Sequence, residues 1–152
     1  MIVLNRIDSR LIHGQVIEAW LPHLGVGRVV VADDDAAGDP LTRAAFELAV
    51  PPEVELVTTR VEQTEFGRFA ADRVRTLVLF RTVHSAEVAR AHGLPSGPLN
   101  LGNVHSAPGK VAISRSVFLD SEESAALGRL AAQGMAVSIQ AVPAEPAQAL
   151  AS

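Results

Sequence analysis

The chain has 152 residues and a formal net charge of −4. A domain of this length buries roughly 70% of the surface of its unfolded chain, so one domain can hold a full core. Cysteine is absent, which excludes disulfides, thiolate metal sites and cysteine nucleophiles. The acidic balance and the aromatic fraction of 4% argue against a nucleic-acid-binding protein. No apolar run approaches the ~20 residues of a membrane span, and the first is too short for a signal peptide. We therefore expect a cytoplasmic protein.

Apolar, β-branched runs alternate along the chain with segments of helical period. This alternation is typical of βαβ units. It predicts an α/β protein of a single domain, a three-layer α/β/α arrangement in which helices cover both faces of an open, mainly parallel sheet of about six strands. The predicted strands lie near residues 2–7, 27–33, 54–59, 74–80, 97–101 and 136–141.

The segments between the first strands predict helices. One begins after Gly14 and carries Trp20 on its apolar face, so we expect Trp20 in the core. Another begins at Asp39, an N-cap acid followed by a proline. The apolar face predicted to cover the core in this helix consists of Leu41, Ala44, Ala45 and Leu48. Further along, residues 103–115 show neither period, which predicts a long loop or a short hairpin.

The turn after the first strand holds a histidine between two arginines and a helix start, in the run Arg6-Ile7-Asp8-Ser9-Arg10-Leu11-Ile12-His13-Gly14-Gln15. Open parallel sheets bind ligands beyond the carboxyl ends of their strands, which is where this turn lies. The backbone N–H groups of a helix start, here Gly14 and Gln15, attract anions. The pattern suits a phosphoryl group handled at His13, but a histidine in a polar turn is more often simply solvated, and composition and spacing alone do not overturn that interpretation.

The charged neighbours of His13 have expected roles at such a site. Arginine grips phosphate oxygens with two donors and stays charged, so either Arg6 or Arg10 would neutralise a transferring phosphoryl group. Asp8 would orient an arginine, or it would hold the imidazole in one tautomer by accepting from its second nitrogen.

Other polar side chains that follow strands would border the same cleft. Asp34 lies in the run Asp33–Asp35, which predicts either a Mg²⁺ site or a solvated turn in which one acid pairs with an arginine. We favour the solvated turn and expect no metal. Asn100, Gly102, Asn103 and His105 follow the fifth predicted strand, where glycine would let the backbone approach an anion or would simply form a tight turn. Nucleotide-binding glycine motifs are absent, so we expect no cofactor.

The run from Arg6 to Gln15 resembles, almost letter for letter, the phosphorylation-site motif of the enzyme IIB component of the bacterial phosphotransferase system (PTS), mannose/fructose/sorbose family. Later segments also resemble that family: Val29–Asp34 followed by Asp39-Pro40, Leu77–Arg81 and Leu99–His105. The resemblance covers residues 1–143, which we take as the domain. Residues 144–152 have little to pack against and predict a loosely ordered tail.

The resemblance implies a phosphotransferase that needs no cofactor. His13 would accept a phosphoryl group from a phosphohistidine of the IIA component, at Nδ1, and donate it to a sugar bound by the membrane IIC/IID transporter. The protein would be cytoplasmic, with peripheral association to the transporter, and its apolar share permits a homodimer. Ser9 stands where the family often has a second acid, and it would donate a hydrogen bond to phosphate. Residues 106–111 are less basic than in typical members.

Two other functions stay open at this point. One is a regulatory module of an incomplete PTS, in which phosphorylated His13 reports phosphorylation state without sugar transport. The other is an unrelated small-ligand domain of the same fold class, in which His13 is incidental.

Overall fold

The computed structural model describes residues 1–150 and contains nine strands within that range. They are β1 Ile2–Asp8, β2 Arg28–Ala32, β3 Glu55–Thr59, β4 Thr76–Phe80, β5 Pro98–Asn103, β6 Val111–Ala112, β7 Phe118–Leu119, β8 Ala136–Ile139 and β9 Gln148–Ala149. The helices are α1, a π-helical turn Val16–Trp20 continued by Leu21–Leu24, then α2 Asp34–Gly38, α3 Pro40–Ala49, α4 Phe66–Ala71, α5 Val83–Ala91 and α6 Ser121–Ala132. A 3₁₀ turn spans Val61–Gln63.

Seven strands form one sheet in the order β3-β2-β4-β1-β5-β8-β9. All neighbours are parallel except β9, which runs antiparallel to β8. The α/β class, the single domain and the mainly parallel sheet are therefore confirmed, and the six predicted strands are all present. The seventh strand, β9, lies within the segment 144–152, of which residues 151 and 152 fall outside the described range. The loose order of that tail stays a prediction.

Helices cover both faces of the sheet. Successive residues of a strand point to opposite sides, so each buried strand contributes apolar side chains to a core on either face. A first core cluster, under α4, α5 and α6, includes Val30 and Val78. A second core cluster, under α1, α2 and α3, includes Val29 and Leu77. Strands buried on both faces read as unbroken apolar runs, which is why the sequence predicted them.

The helix α1 opens with a π-helical turn, Val16–Trp20, that the sequence did not predict. Such wider turns occur mostly as single turns inside α-helices. Trp20 is buried, which confirms its expected place in the core. The helix ends at Gly25, whose φ of 61° is a left-handed conformation that glycine adopts without steric cost.

The predicted core face of α3 was wrong. Leu41 and Leu48 are 83% and 90% exposed, and the two alanines between them are exposed as well. The helix instead buries Phe46, beside Val50 at its C-cap, in the second core cluster. The exposed leucines and alanines also recur with helical period. Periodicity therefore identified the helix but not which of its sides packs against the core.

The segment between β5 and α6 forms a short hairpin, which was one of the two predicted structures. Val111–Ala112 pair antiparallel with Phe118–Leu119. Among residues 1–150, no helix is both long and apolar enough to cross a membrane.

Truncation of a side chain on the buried side of α3 should destabilise the protein far more than truncation on the exposed side. Phe46→Ala should lower the free energy of unfolding by about 3 kcal/mol, because it leaves a cavity in a packed core. Leu48→Ala should change it by less than about 0.5 kcal/mol, because that side chain is in solvent. Urea unfolding of both variants measures the difference, and equal losses would contradict this assignment of faces.

Candidate active site

The turn after β1 lies at the middle of the sheet, because β1 is flanked by β4 and β5. Its backbone is held close to the strand end, since the N–H of Leu11 donates to the carbonyl of Asp8 over 3.0 Å. Leu11 has a φ of 56°, which is uncommon for any residue other than glycine. Its side chain is fully buried in the second core cluster. Packing therefore fixes a strained turn immediately before His13.

The imidazole of His13 is held by Asp8. The two side chains meet through Nε2 and Oδ2, 2.7 Å apart. A charged carboxylate only accepts hydrogen bonds, so Nε2 carries the proton and donates it to Asp8. In the neutral ring Nδ1 is then the unprotonated nitrogen, with a lone pair free to react. The His13 side chain is partly exposed, whereas that of Asp8 is fully buried.

The Asp8 carboxylate stays charged despite its burial. Burial acts to raise its pKa, but donors around it hold the pKa below its ordinary value. In decreasing order of effect, the groups that lower it are His13, Arg6, Asn103 and the backbone N–H of Arg10. A permanently charged acceptor keeps the His13 ring in one tautomer.

Arg6 is the largest fully buried side chain, and its guanidinium is saturated with acceptors. Nε donates to Asp8 over 3.2 Å. Nη1 donates to the side chain of Asn100 and to a backbone carbonyl, and Nη2 does the same with Gln15 and a second carbonyl. The two carbonyls belong to Gln140 and Ala141, just after β8. All five N–H groups are therefore used within the protein, which leaves none for a ligand.

The flat guanidinium of Arg6 packs against an aromatic ring and a glycine. Its Cζ lies 4.9 Å from the ring centroid of Trp20. A methyl group on Gly102 would overlap the guanidinium carbon and nitrogens. The absence of a side chain at Gly102 therefore allows the close approach of Arg6.

Asn103 belongs to this network, and the sequence placed it among the polar residues after the fifth predicted strand without assigning it a partner. Its Nδ2 donates to Asp8 over 3.0 Å and to Gln15 over 2.9 Å. Asn103 lies opposite Asp8 in the parallel pair of β1 and β5. Its contact with Asp8 therefore depends on the register of these two strands. That register is not readable from one sequence.

Ser9 joins the turn after β1 to the loop after β5. Its N–H and its hydroxyl both donate to the carbonyl of Asn103. Its hydroxyl oxygen accepts from the backbone N–H of His105 over 3.0 Å. The side chain of His105 is exposed and makes no hydrogen bond within residues 1–150.

The acidic run after β2 is engaged elsewhere. Asp33 caps α2 and pairs with Arg81 over 2.9 Å. Asp34 accepts from the backbone N–H of Val61 and lies 3.6 Å from Arg60. Two acids of this run thus pair with arginines, whereas the solvated-turn interpretation predicted one such pair. Among residues 1–150, no three histidine, aspartate or glutamate side chains come together as metal ligands.

Arg10 contrasts with Arg6. Its backbone N–H donates to Asp8 over 3.0 Å, but its side chain is exposed. Within residues 1–150 the Arg10 guanidinium forms no ion pair. Of the two arginines that the sequence left open, only Arg10 has donors free for an external anion.

The contact of Gly102 with Arg6 predicts a large effect from one methyl group. Gly102→Ala should lower the free energy of unfolding by about 1–3 kcal/mol, because the guanidinium has no room to move without leaving its acceptors. Gly14→Ala is the control, since open space surrounds that position. Thermal or urea unfolding provides the measurement, and an unperturbed Gly102→Ala protein would contradict the packing described above.

The lowered pKa of Asp8 predicts an acid-dependent contribution to stability. Because the folded state favours the charged form, this contribution is complete above the ordinary aspartate pKa of ~3.9 and disappears as the pH falls further. Asp8→Asn should cost about 3 kcal/mol at pH 7, since Arg6 loses its buried partner. The difference from the original protein should shrink toward pH 2. Urea titrations across this range test it, and a difference independent of pH would contradict the prediction.

A family model described as PTS system sorbose subfamily IIB component matches residues 2–152 of the chain. The N-acetylgalactosamine-specific phosphotransferase enzyme IIB component 2 of Escherichia coli (strain K12) is 35% identical over 147 residues, covering 96% of this chain and 94% of that protein. The PTS system mannose-specific EIIAB component of the same strain is 28% identical over 150 residues, covering 96% of this chain and 46% of that longer protein.

Solved structures agree with these relatives. The crystal structure of the PTS system N-acetylgalactosamine-specific IIB component 1 from Escherichia coli is 27% identical, with a TM-score of 0.91 and coverage of 99% of this chain and 100% of that chain. The IIB domain of the sorbose permease from Klebsiella pneumoniae is 26% identical, with a TM-score of 0.86 and coverage of 97% and 91%. The chain belongs to the sorbose subfamily of PTS IIB components, which are sugar phosphotransferases.

Proposed function

We propose that His13 is the residue on which this IIB component carries its phosphoryl group. It accepts the group from a phosphohistidine of the IIA component and donates it to a sugar bound by the membrane IIC/IID component. The observation that carries the proposal is the hydrogen bond of 2.7 Å between His13 Nε2 and Asp8. It leaves Nδ1 as the nucleophile.

The transfer itself requires little from the protein beyond alignment and charge. The lone pair of His13 Nδ1 attacks phosphorus while the bond from phosphorus to the donor imidazole breaks, and the donor nitrogen keeps that electron pair. The His13 ring gains positive charge as the new bond forms. Asp8 stabilises that charge through Nε2, so no proton has to leave the ring during the step.

The two arginines divide the work. Arg6 is a positioning residue, because its buried guanidinium holds Asp8 and Gln15 in place and has no free donor. Arg10 is the arginine that contacts the phosphoryl oxygens, because its guanidinium is exposed and unpaired within residues 1–150. Arginine suits this role through its fixed pair of donors.

Backbone donors complete the phosphoryl site. Helical residues begin at Gly14 and Gln15, directly after His13, and the first N–H groups of a helix have no partner inside it. They favour negative charge beside Nδ1. Ser9 is committed to the loop after β5, so we assign it to the shape of the turn, and Asn100 to the support of Arg6. We assign no role in the transfer to Asp34 or to the ring of His105.

The proposed acceptor is a sugar held by a membrane transporter. We therefore place the protein in the cytoplasm, in peripheral contact with IIC/IID during the second transfer. One copy supplies every residue named in the mechanism, so a homodimer is not part of the proposal.

Phosphorylation by the PTS cascade tests the role of His13. Incubation with phosphoenolpyruvate, enzyme I, HPr and a matching IIA should give one acid-labile, base-stable phosphate per chain, and His13→Gln should abolish it. His92→Gln, at an exposed histidine beyond the end of α5, is the matched control and should keep full incorporation. Full incorporation in His13→Gln would refute the assignment. Sugar phosphorylation with membranes that hold IIC/IID then tests the second transfer.

A further inference from the structure

We propose that the β6–β7 hairpin is the docking surface for the phosphorylated donor protein, a IIA component. The surface consists of three exposed side chains, Val111, Ile113 and Arg115, which we call the hairpin surface. This inference rests on the proposed function of His13, since it concerns the protein that delivers the phosphoryl group.

The topology places the hairpin at the edge of the sheet that carries His13. The strand β5 runs parallel to β1 and ends at Asn103, level with Asp8. The helix α6 starts at Ser121, so the segment between them lies beyond the carboxyl ends of the strands. A protein that reaches His13 approaches from this direction and meets the hairpin.

The hairpin is tied to the catalytic turn by hydrogen bonds. Ser9 accepts from the backbone N–H of His105, at the start of the segment. Ser116, on the returning side, donates to the carbonyl of Gly102 over 2.8 Å. Gly102 packs directly against Arg6. A partner that binds the hairpin is therefore held at a fixed position relative to the network around Asp8.

The hairpin presents apolar side chains on a firmly anchored base. Val117 and Leu119, on the returning strand, are buried in the first core cluster. On the outgoing side Val111 is 66% exposed and Ile113 40% exposed. The side chain of Lys110 pairs with Glu123 of α6 over 3.2 Å, which fixes the hairpin to the body of the protein. Exposed apolar groups on a rigid support are typical of interaction sites.

Charge identifies the donor as the occupant. Arg115 and Arg10 are exposed and form no ion pair within residues 1–150, whereas Arg6, Arg60 and Arg81 at the same edge each pair with an aspartate. A phosphoryl group carries a charge of about −1.5 to −2. A phosphorylated donor therefore brings negative charge to this edge, while the sugar that later accepts the group is neutral.

The same charge explains how the donor leaves. Before transfer, the unpaired arginines attract the phosphorylated form of the donor. After transfer the negative charge lies on His13, where Arg10 is committed to it, and the dephosphorylated donor has lost that attraction. The hairpin surface thus distinguishes the two forms of its partner through electrostatics.

The kinetics of the first transfer test this surface. Phospho-IIA, labelled from phosphoenolpyruvate, is mixed with each variant at increasing concentration, and labelling of His13 is followed by rapid quench. Val111→Ser and Ile113→Ser should each raise KM for phospho-IIA by about fivefold or more, which is the effect of truncating a contact residue near the centre of an interface. The rate constant at saturation should not change, because neither side chain touches the reacting groups.

Matched controls come from α3. Leu41→Ser and Leu48→Ser remove side chains that are even more exposed, on a helix packed against the second core cluster. Their KM should equal that of the original protein. Unfolding measurements on all four variants check that stability is unchanged, so that a raised KM reports docking. If the α3 variants raise KM as much as the hairpin variants, the hairpin is not the docking surface.

Charge reversal tests the electrostatic part. Arg115→Glu should lower kcat/KM for phospho-IIA by about tenfold at low ionic strength, and the deficit should shrink as salt is added. A deficit that does not respond to salt would overturn the role assigned to Arg115.

The second transfer separates this inference from its alternatives. Phosphorylated variants, prepared by long incubation, are presented to membranes that hold IIC/IID and sugar. Normal sugar phosphorylation supports a surface for IIA, whereas a defect confined to this step assigns the hairpin to the transporter and overturns the proposal. If the variants are phosphorylated on His13 with unchanged KM, only the docking surface is wrong. If His13→Gln still accepts phosphate, the proposed function itself fails.

Discussion

The buried guanidinium of Arg6 is the interaction on which the rest of the site depends. A charge removed from water destabilises the fold unless a counter-charge and well-aligned acceptors surround it. Asp8 supplies the counter-charge, and the other acceptors come from Gln15 at the N-cap of α1, from β5 and from the chain after β8. Because all these acceptors bind one planar guanidinium, their relative positions are fixed within the narrow range of distances and angles that hydrogen bonds allow. The network thus assembles the edge of the sheet from segments far apart in sequence.

One carboxylate links this assembly to the chemistry. Asp8 neutralises Arg6 and, through the same oxygen, accepts from His13. The acceptor that the fold needs is therefore the one that sets the tautomer of the imidazole. The ring needs no separate orienting group, since any conformation that satisfies Arg6 also places a charged acceptor under Nε2. Stability and reactivity share one group here, because the carboxylate that neutralises Arg6 also positions the nucleophile.

Sequence alone predicted the parts of this structure that depend on short-range pattern. Apolar runs predicted the strands. The sequence offered Asp8 two roles, as partner of an arginine or of the His13 ring, and the structure shows contacts of both kinds. Arg6 and Asp8 are two residues apart in a strand and so point the same way, which explains their ion pair. The choice between Arg6 and Arg10 depended on which of them is buried, and the contact of Asn103 with Asp8 depended on the register of β5 against β1. Neither burial nor register can be read from a short stretch of sequence. In α3 two apolar faces competed, and tertiary packing selected Phe46.

The close contact between Arg6 and Gly102 also limits how this sequence can evolve. A larger residue at position 102 has no room while arginine occupies position 6. Replacement of Arg6 would in turn remove the buried counter-charge of Asp8 and the donor to the Asn100 side-chain oxygen. A substitution at either position alone disrupts the packing, so we expect the two residues to change only together. The outward side of α3 has no such constraint, because its leucines and alanines are exposed to solvent.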